Sequence, residues 1–293
     1  STRVRSSAAS DVYKRQGERN VHVDNFLGNI FVSCDRGCNF RLSIERIYMQ
    51  DFVHLHVHTQ YSLLDGQASV SRLVDKAMKD GMKGIAVTDH GNMFGIKEFT
   101  NYVNKKNSGP KGEIKDLKKR IAGIESGEIE CEDKEAEIAD CRAKMAEAES
   151  KLFKPIVGCE MYVARRTMDK KEGKPDQSGY HLIVLAKNEK GYHNLIKLVS
   201  HAWTRGYYMR PRTDRSELEK YHEGLIVCSA CIGGEVPKKI INDQLEEAEE
   251  AVRWYKNLFG DDYYLELQRH KATVPRACLL YTSDAADDLT RVD

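Results

Sequence analysis

The chain has 293 residues, of which 41% are hydrophobic and 31% charged, and its 46 Lys and Arg nearly balance its 45 Asp and Glu. This composition excludes a membrane-embedded protein, a collagen-like repeat and a wholly disordered chain, and the net charge of +1 excludes a strongly basic nucleic-acid clamp. Eight cysteines in a chain of this length do not form a disulfide framework, and the N-terminus lacks the apolar core of a signal peptide. We therefore expect a cytoplasmic chain of one or two domains with reduced thiols.

The two ends of the chain are related at the level of DNA. Residues 6–16 (SSAASDVYKRQ) and 278–288 (CLLYTSDAADD) can be encoded by opposite strands of one DNA segment, which resembles a transposon adapter used for sequencing libraries. A natural inverted repeat is the alternative. We predict that residues 1–16 and 278–293 are adapter-derived and do not belong to the fold.

Residues 17–48 show no sustained hydrophobic period, whereas Met49 opens the first well-patterned segment. We therefore predict that 17–48 is translated upstream DNA and that Met49 is the natural start of a domain covering 49–277. Cys34 and Cys38 form a C-x3-C pair, which is too few ligands for a structural zinc site by itself.

Short apolar strands alternate with amphipathic helices from Met49 onward. Ser69 is a candidate N-cap of the first helix, which Gly81 would end, and further helices are expected at 192–203 and 244–258. The predicted strands are short apolar runs, at 52–57, 84–88, 155–163, 181–186, 225–228 and 263–267. Such alternation predicts parallel strands with helices outside, as a barrel or a doubly wound sheet.

Residues 105–152 interrupt this alternation, because they are dense in Lys, Glu, Asp and Ala. Two apolar runs at helical spacing flank a turn near Gly127: Ile114, Leu117, Ile121 and Ile124, then Ile138, Cys141, Met145 and Leu152. The pattern predicts an inserted charged helical hairpin. Its role is either a solvated spacer or a docking surface.

Three histidines, His54, His56 and His58, alternate in the first predicted strand. The two-residue period of a strand places them on one face, where neighbouring imidazoles about 7 Å apart can converge on a metal ion. This clustering favours metal binding over three unrelated core or surface histidines.

Other strands end in residues of the same chemistry. They are Asp65, Asp89 and His90, Cys159 and Glu160, His181, and Ser229 to Cys231. The loops after barrel strands converge at one face, so these groups are expected together. Imidazole, carboxylate and thiolate ligands suit zinc, manganese or iron, and a multinuclear site of this kind indicates phosphoester chemistry.

Simpler interpretations compete at several positions. Asp65 and Asp89 can cap helices, and Cys228 with Cys231 has the C-x2-C spacing of a thioredoxin-like pair. The remaining histidines and arginines on predicted helices and loops are expected to be ordinary surface residues or, for the arginines, phosphate contacts: His193, His201, His222, His270, Arg205, Arg210 and Arg212.

Six motifs in order carry a family resemblance: HLHVHTQYSLLDG, TDHGNMFG, GCEMYVA, HLIVLAKNEKGYHNLIKL, EGLIVCSACIGGE and YYLELQRH. Together they resemble the N-terminal PHP (polymerase and histidinol phosphatase) domain in the form found in bacterial DNA polymerase III alpha subunits. The resemblance runs from about residue 49 to 270, interrupted only by the predicted hairpin.

The resemblance implies a distorted seven-stranded β/α barrel of PHP type around three divalent metal ions. The ligand positions it implies are His56, His58, Asp65, His90, Glu160, His181 and Cys231. His54 matches no ligand position, which reduces the three candidate histidines of the first strand to two. The family's last ligand pair, an Asp-x-His, and the magnesium-dependent polymerase palm are expected beyond Ala277.

All seven ligand positions within the chain are intact, which the resemblance associates with a metal-dependent 3′–5′ exonuclease within a DNA-directed DNA polymerase. The expected partners are primer–template DNA, the proofreading exonuclease subunit and the sliding clamp. Two alternatives stay open: a free-standing phosphoesterase related to histidinol phosphatase, and a structural metal domain that only scaffolds the polymerase. The first predicts a gene that ends soon after the Asp-x-His pair, and the second predicts metal binding without nuclease activity.

Overall fold

The centre of the fold is a curled sheet of seven strands, seen in a computed structural model that describes residues 52–268 and the backbone of 30–32. The strands are β1 (Ile30–Val32), β2 (Gly84–Val87), β3 (Lys154–Ala164), β4 (Gly179–Ala186), β5 (Arg212–Thr213), β6 (Leu225–Cys228) and β7 (Tyr263–Leu267). Their order is β1-β7-β6-β4-β3-β2, and β5 pairs with β3 off this path. Helices cover the sheet, so the predicted α/β class and truncated PHP-type barrel are confirmed.

The strand directions are mixed, and the prediction of uniformly parallel strands is wrong. The pairs β2/β3, β3/β5 and β6/β7 are parallel, whereas β3/β4, β4/β6 and β1/β7 are antiparallel. No long helix lies between β3 and β4, only a loop with one 3-10 turn at Lys174–Asp176. A chain can return antiparallel through such a loop, while a parallel neighbour requires a crossover.

Residues 52–57 do not form the regular strand that the sequence predicts, although they run extended beside β2. The amide of Ala86 donates to His54 O and that of Thr88 to Val57 O, at 2.9 and 2.8 Å. The amide of Val57 instead donates to the Thr88 hydroxyl oxygen at 2.8 Å. This side-chain acceptor interrupts the backbone ladder, so the segment borders the sheet without completing it.

Eight α-helices are found in the described residues: α1 (Val70–Lys79), α2 (Ile96–Lys106), α3 (Ser108–Ser126), α4 (Lys134–Ser150), α5 (Glu189–Thr204), α6 (Arg215–Tyr221), α7 (Glu235–Ile241) and α8 (Leu245–Phe259). The three helices expected at the start, middle and end of the barrel correspond to α1, α5 and α8. Ser69 occupies the N-cap position of α1, but its side chain makes no capping hydrogen bond. None of these helices has the length and apolar character needed to cross a bilayer.

The core lies between the sheet and its helices. Buried residues of β3, β4 and β6, such as Met161, Val184 and Val227, pack with Leu198 of α5 and Tyr255 of α8. A second group joins α1 and α2 to β2, with Val70, Val74, Ile85, Phe99 and Val103 buried together. The strands that precede or carry the motif residues therefore belong to the core, β3, β4 and β6 in the first group and β2 in the second.

The charged insertion forms the helices α3 and α4, joined after Gly127, whose left-handed φ of 79° suits a residue without a Cβ. At the base of this hairpin the Asn107 side chain accepts from the Phe153 amide at 3.0 Å and donates to the Phe153 carbonyl at 2.8 Å. The two ends of the insertion are therefore adjacent. The division of the chain into 17–48, 49–277 and the adapter-derived ends stays a prediction, and Cys34 and Cys38 lie outside the described residues.

Candidate metal centre

The first extended segment supplies two of the predicted ligands. Alternation places His56 and His58 on the same side, with ring centroids 5.3 Å apart, while His54 packs its ring against Phe52. The turn that follows carries Asp65, whose amide donates to Ser62 O at 3.1 Å. His54 is not among the described groups that can hold a metal ion, consistent with the two-histidine interpretation.

Asp89 fixes this turn from the end of the neighbouring strand β2. Its Oδ1 accepts from the Thr59 amide at 2.6 Å and the Ser62 hydroxyl at 2.7 Å, and its Oδ2 accepts from the Thr59 hydroxyl at 2.8 Å. Asp89 is buried and caps no described helix, so the capping interpretation is wrong for this residue. Its carboxylate instead holds the turn that presents Asp65.

Glu160 on β3 lies at the middle of the cluster and is fully buried. Its carboxylate approaches four imidazoles: Oε1 lies 3.4 Å from His56 Nε2 and 2.8 Å from His181 Nδ1, and Oε2 lies 2.9 Å from His58 Nε2 and 2.5 Å from His90 Nδ1. These histidines come from three different segments of the chain, because His56 and His58 share the first one. One carboxylate therefore links the ends of the first segment, β2 and β4.

Asp65 approaches the same histidines from the opposite side. Its Oδ2 lies 2.6 Å from His90 Nε2 and 3.5 Å from His58 Nδ1. The rings of His58 and His90 have centroids only 3.9 Å apart. Both rings thus stand between the Asp65 and Glu160 carboxylates.

The donor set fits a bound cation. His58 Nε2, His90 Nδ1 and Glu160 Oε2 are buried without a hydrogen-bond partner in the described residues, although the two nitrogens lie within 2.9 Å of that oxygen. Nitrogen and oxygen atoms that converge in this way are typical of ligands to a shared ion. Three overlapping groups can hold one, each with its ligand atoms within 4.8 Å of one another: His56–His58–Glu160, His58–Asp65–His90 and His90–Glu160–His181.

Charge in the cluster shifts several pKa values. Burial opposes ionisation of Glu160, but His181, His56 and His58 outweigh it and hold the pKa of Glu160 well below its ordinary value. Burial likewise lowers the pKa of His90, but its contacts with Asp65 and Glu160 raise that pKa to about 10. A proton and a metal ion therefore compete for the same lone pairs of the His90 imidazole.

Cys231 lies beside the cluster, with Sγ 3.5 Å from His181 Nδ1 and 3.7 Å from Glu160 Oε1. Burial and then Glu160 raise the pKa of this thiol well above its ordinary value. Cys228 is also buried with a raised pKa, so this pair lacks the acidic thiol of a thioredoxin-like site. Cys231 is outside the three groups above but within reach of their edge.

Sequence reasoning missed Glu266 on β7, which is buried against the cluster. Its Oε1 lies 2.8 Å from His56 Nδ1, and Gln268 Nε2 donates to the same oxygen at 2.7 Å. Glu266 therefore orients the His56 ring so that Nε2 faces Glu160. A charged residue in an otherwise apolar strand was the only available signal, and the contact also brings the last strand against the first segment.

The remaining candidates lie elsewhere. His193 and His222 are at helix surfaces or ends, His201 bonds Glu217 away from the cluster, and His270 lies outside the described residues. Arg212 is buried and donates to the carbonyls of Gly206 and Met168, so it is a structural residue and not a phosphate contact. Arg205 pairs with Glu217, whereas Arg210 is exposed.

The comparisons with known proteins agree with this architecture. The family model described as PHP domain matches residues 54–270, and the chain belongs to this family.

The curated relatives that match this chain include three DNA polymerase III alpha subunits. The chain is 43% identical to the DNA polymerase III subunit alpha of Borreliella burgdorferi over 220 residues, 39% identical to that of Treponema pallidum over 221, and 36% identical to that of Aquifex aeolicus over 225. Each match covers 75% of this chain, but the chain spans only about 15 or 16% of the length of these relatives.

Proposed function

We propose that this chain is the PHP domain of a DNA-directed DNA polymerase of the DNA polymerase III alpha type, and that its centre is a metal-dependent 3′–5′ exonuclease. The observation that carries the proposal is one cluster of all seven predicted ligand residues: four histidines and Cys231 surround the buried Glu160, and Asp65 contacts two of those histidines. The relatives support the polymerase part, since they are named for that subunit and match 75% of this chain.

The proposed ligands are His56, His58, Asp65, His90, Glu160, His181 and Cys231. Three overlapping groups of ligand atoms support three ions of zinc, manganese or iron. Bound ions would polarise a phosphoryl group and supply a nucleophile at neutral pH. Glu160, His58 and His90 each belong to two of the groups, and Glu160 is the residue that approaches four of the histidines.

Burial within the cluster sets the direction of substrate approach. The side chains of His56 and His58 are 4 and 7% exposed, whereas those of His90 and His181 are 22 and 23% exposed. A phosphodiester would therefore approach from the side of His90 and His181. The first segment closes the back of the site, with Glu266 behind His56.

The nuclease part is tested with protein stripped by a chelator and reloaded separately with zinc, manganese or iron. We expect loss of nucleotides from the 3′ end of a 5′-labelled primer, and we expect His56→Ala and His58→Ala to abolish it. Turnover of a small phosphomonoester without primer degradation would instead support the free-standing phosphatase. Metal that raises the melting temperature without any hydrolysis would support the scaffold role.

The polymerase part predicts a longer protein that acts in the cytoplasm. We expect the gene to continue past Ala277 into the Asp-x-His ligands and a palm with magnesium-binding carboxylates, and the full-length protein to extend a primer–template. The sliding clamp and a proofreading exonuclease subunit are the proposed protein partners. A gene that stops soon after the Asp-x-His pair would contradict the polymerase assignment.

A further inference from the structure

Several of the most exposed apolar side chains lie close in the chain to candidate ligands. Among the described residues the most exposed large hydrophobic side chains are Leu63, Leu64, Phe94 and Met209, at 63 to 88%. Leu63 and Leu64 precede Asp65 in its turn, and Phe94 follows His90 by four residues. Contiguous exposed apolar surface usually marks a binding region.

Three aromatic rings form a row beside the turn that follows His90. The ring centroids of Phe94 and Trp203 are 5.8 Å apart, and those of Trp203 and Tyr207 are 5.6 Å apart with an interplanar angle of 22°. The rings are 40 to 63% exposed. Trp203 Nε1 donates to the Gly91 carbonyl at 2.8 Å, and Gly91 directly follows His90. The row is thus attached to the turn that carries a proposed ligand.

A cation, Arg210, lies beside an aromatic ring that is next to two proposed ligands. The Arg210 guanidinium carbon lies 5.8 Å from the ring centroid of Tyr162, and that ring lies 6.1 Å from His90 and 5.2 Å from His181. Arg210 forms no salt bridge within residues 52–268 and is exposed. Its charge is therefore available to an anion that approaches the two exposed histidines.

We propose that Phe94, Trp203, Tyr207 and Arg210 form an aromatic rim that binds the single-stranded 3′ end of DNA. Bases stack on the exposed rings, and Arg210 contacts a backbone phosphate next to the one to be cleaved. Stacking on aromatic rings accepts any base, as removal of terminal nucleotides requires. The rim rests on the proposed nuclease function and names the form of its substrate, a frayed end.

The two tryptophans of the chain provide a direct test. Trp254 on α8 lies under Arg215 at 4.6 Å and serves as the internal reference. In Trp254→Phe protein the emission comes from Trp203, and in Trp203→Phe protein it comes from Trp254. We expect a six-nucleotide oligothymidine with a phosphorothioate 3′ linkage, which resists cleavage, to quench the first protein and leave the second unchanged.

Affinity for the same oligonucleotide, measured by anisotropy of a 5′ label, identifies the other rim residues. Phe94→Ala and Tyr207→Ala are each expected to weaken binding by roughly 5- to 100-fold, since base stacking contributes on this scale. Tyr192→Ala is the matched control, because Tyr192 is an exposed tyrosine near the other end of α5. Arg210→Ala should reduce the salt slope by about 0.7, and Arg210→Lys should restore it.

Other outcomes would contradict the aromatic rim or the nuclease function separately. Unquenched Trp203, or equal loss of binding in Tyr192→Ala, would show that no strand lies on the rings. Self-association of the chain that Phe94→Ala abolishes would assign the surface to a second copy. Primer degradation without quenching would remove the rim and keep the nuclease function. Quenching without degradation would keep the rim and remove the nuclease function.

Discussion

Two regions of this chain are rich in charge, and the charges act differently in each. In the metal centre the carboxylate of Glu160 is fully buried and shared by four histidines from three segments of the chain. In the α3–α4 hairpin the charges pair on the surface: Arg120 and Glu137, for example, form a salt bridge with side chains 54 and 34% exposed. Exposed pairs contribute about 0–1 kcal/mol, whereas loss of one partner of a buried pair costs about 3–5 kcal/mol.

The contrast extends to packing. In α3 only Gly123 and Ile124 are buried, and in α4 only Cys141 and Ala148. The strands that carry the ligands are instead buried along most of their length. Composition alone therefore does not distinguish the charged residues of the candidate metal centre from those of the solvated hairpin, whereas burial does.

The largest expected effect is at Glu160. Glu160→Gln keeps the shape but removes the charge that the histidines share, so we expect metal retention to fall by at least about 100-fold. Metal per chain after gel filtration, measured by mass spectrometry, checks this. Glu137→Gln in the hairpin is the matched control and should retain all its metal. Equal retention by both variants would contradict the different roles of the buried and the exposed carboxylates.

A variant of Asp89 tests whether a buried carboxylate outside the proposed ligand set stabilises the fold. Asp89→Asn replaces one accepting carboxylate oxygen by an NH2 group, which cannot accept from the donors of Thr59 or Ser62 that face it. We expect this change to lower the free energy of unfolding by about 2–4 kcal/mol. Urea denaturation measures this. Asp140→Asn, which disrupts an exposed salt bridge to Lys144, should cost less than about 1 kcal/mol. A smaller loss in Asp89→Asn than in Asp140→Asn would contradict the assigned role.

Glu217 lies between the two extremes, because a buried carboxylate meets partners that are partly exposed. Burial opposes its ionisation, but hydrogen bonds from His201, Lys220 and Arg205 lower the pKa of Glu217 to about 2. A lowered folded-state pKa contributes stability above the unfolded value of about 4.3, and this is lost as pH falls toward 2. Glu217→Gln should therefore cost about 1–2 kcal/mol at pH 7, discounted for the exposed partners, and progressively less below pH ~4. A difference that does not change with pH would contradict the ionic origin.

Removal of the hairpin should have the smallest effect. We expect replacement of residues 109–151 by a short Gly-Ser linker to leave the metal content unchanged and to shift the melting temperature by less than about 5 °C, since Asn107 already holds the two ends together. Calorimetry and metal analysis check this result. Loss of metal on deletion would make the hairpin part of the site.

The sequence predicted local features better than long-range ones. Strands such as Leu225–Cys228 and Tyr263–Leu267 agree with their predicted bounds, because short apolar runs report burial directly. The candidate ligands came from motifs. The role of Asp89 could not be predicted from the sequence, because its hydrogen-bond partners lie about thirty positions away and contact it only in the folded chain. Glu266 contacts His56 from 210 positions away, a separation that no periodicity encodes.

The strand directions and the irregular first segment could not be predicted from the sequence either. Whether β4 returns antiparallel depends on the path of a loop, which hydrophobic pattern does not specify. The first segment has the composition of a strand, but the Thr88 hydroxyl takes the bond that a neighbouring carbonyl would have accepted. The C-x2-C spacing at Cys228 suggested redox chemistry that the buried, high-pKa thiols do not support.

The contact between Asn107 and Phe153 also has a consequence for the order of folding. The parallel pair β2/β3 is separated by the whole insertion, which makes it one of the more distant pairings in the sheet. A hairpin that forms early from local contacts brings its two ends together and shortens the chain that must still be closed. Each halving of a loop saves only about 0.6 kcal/mol of closure entropy, so the hairpin delays the sheet little despite its length.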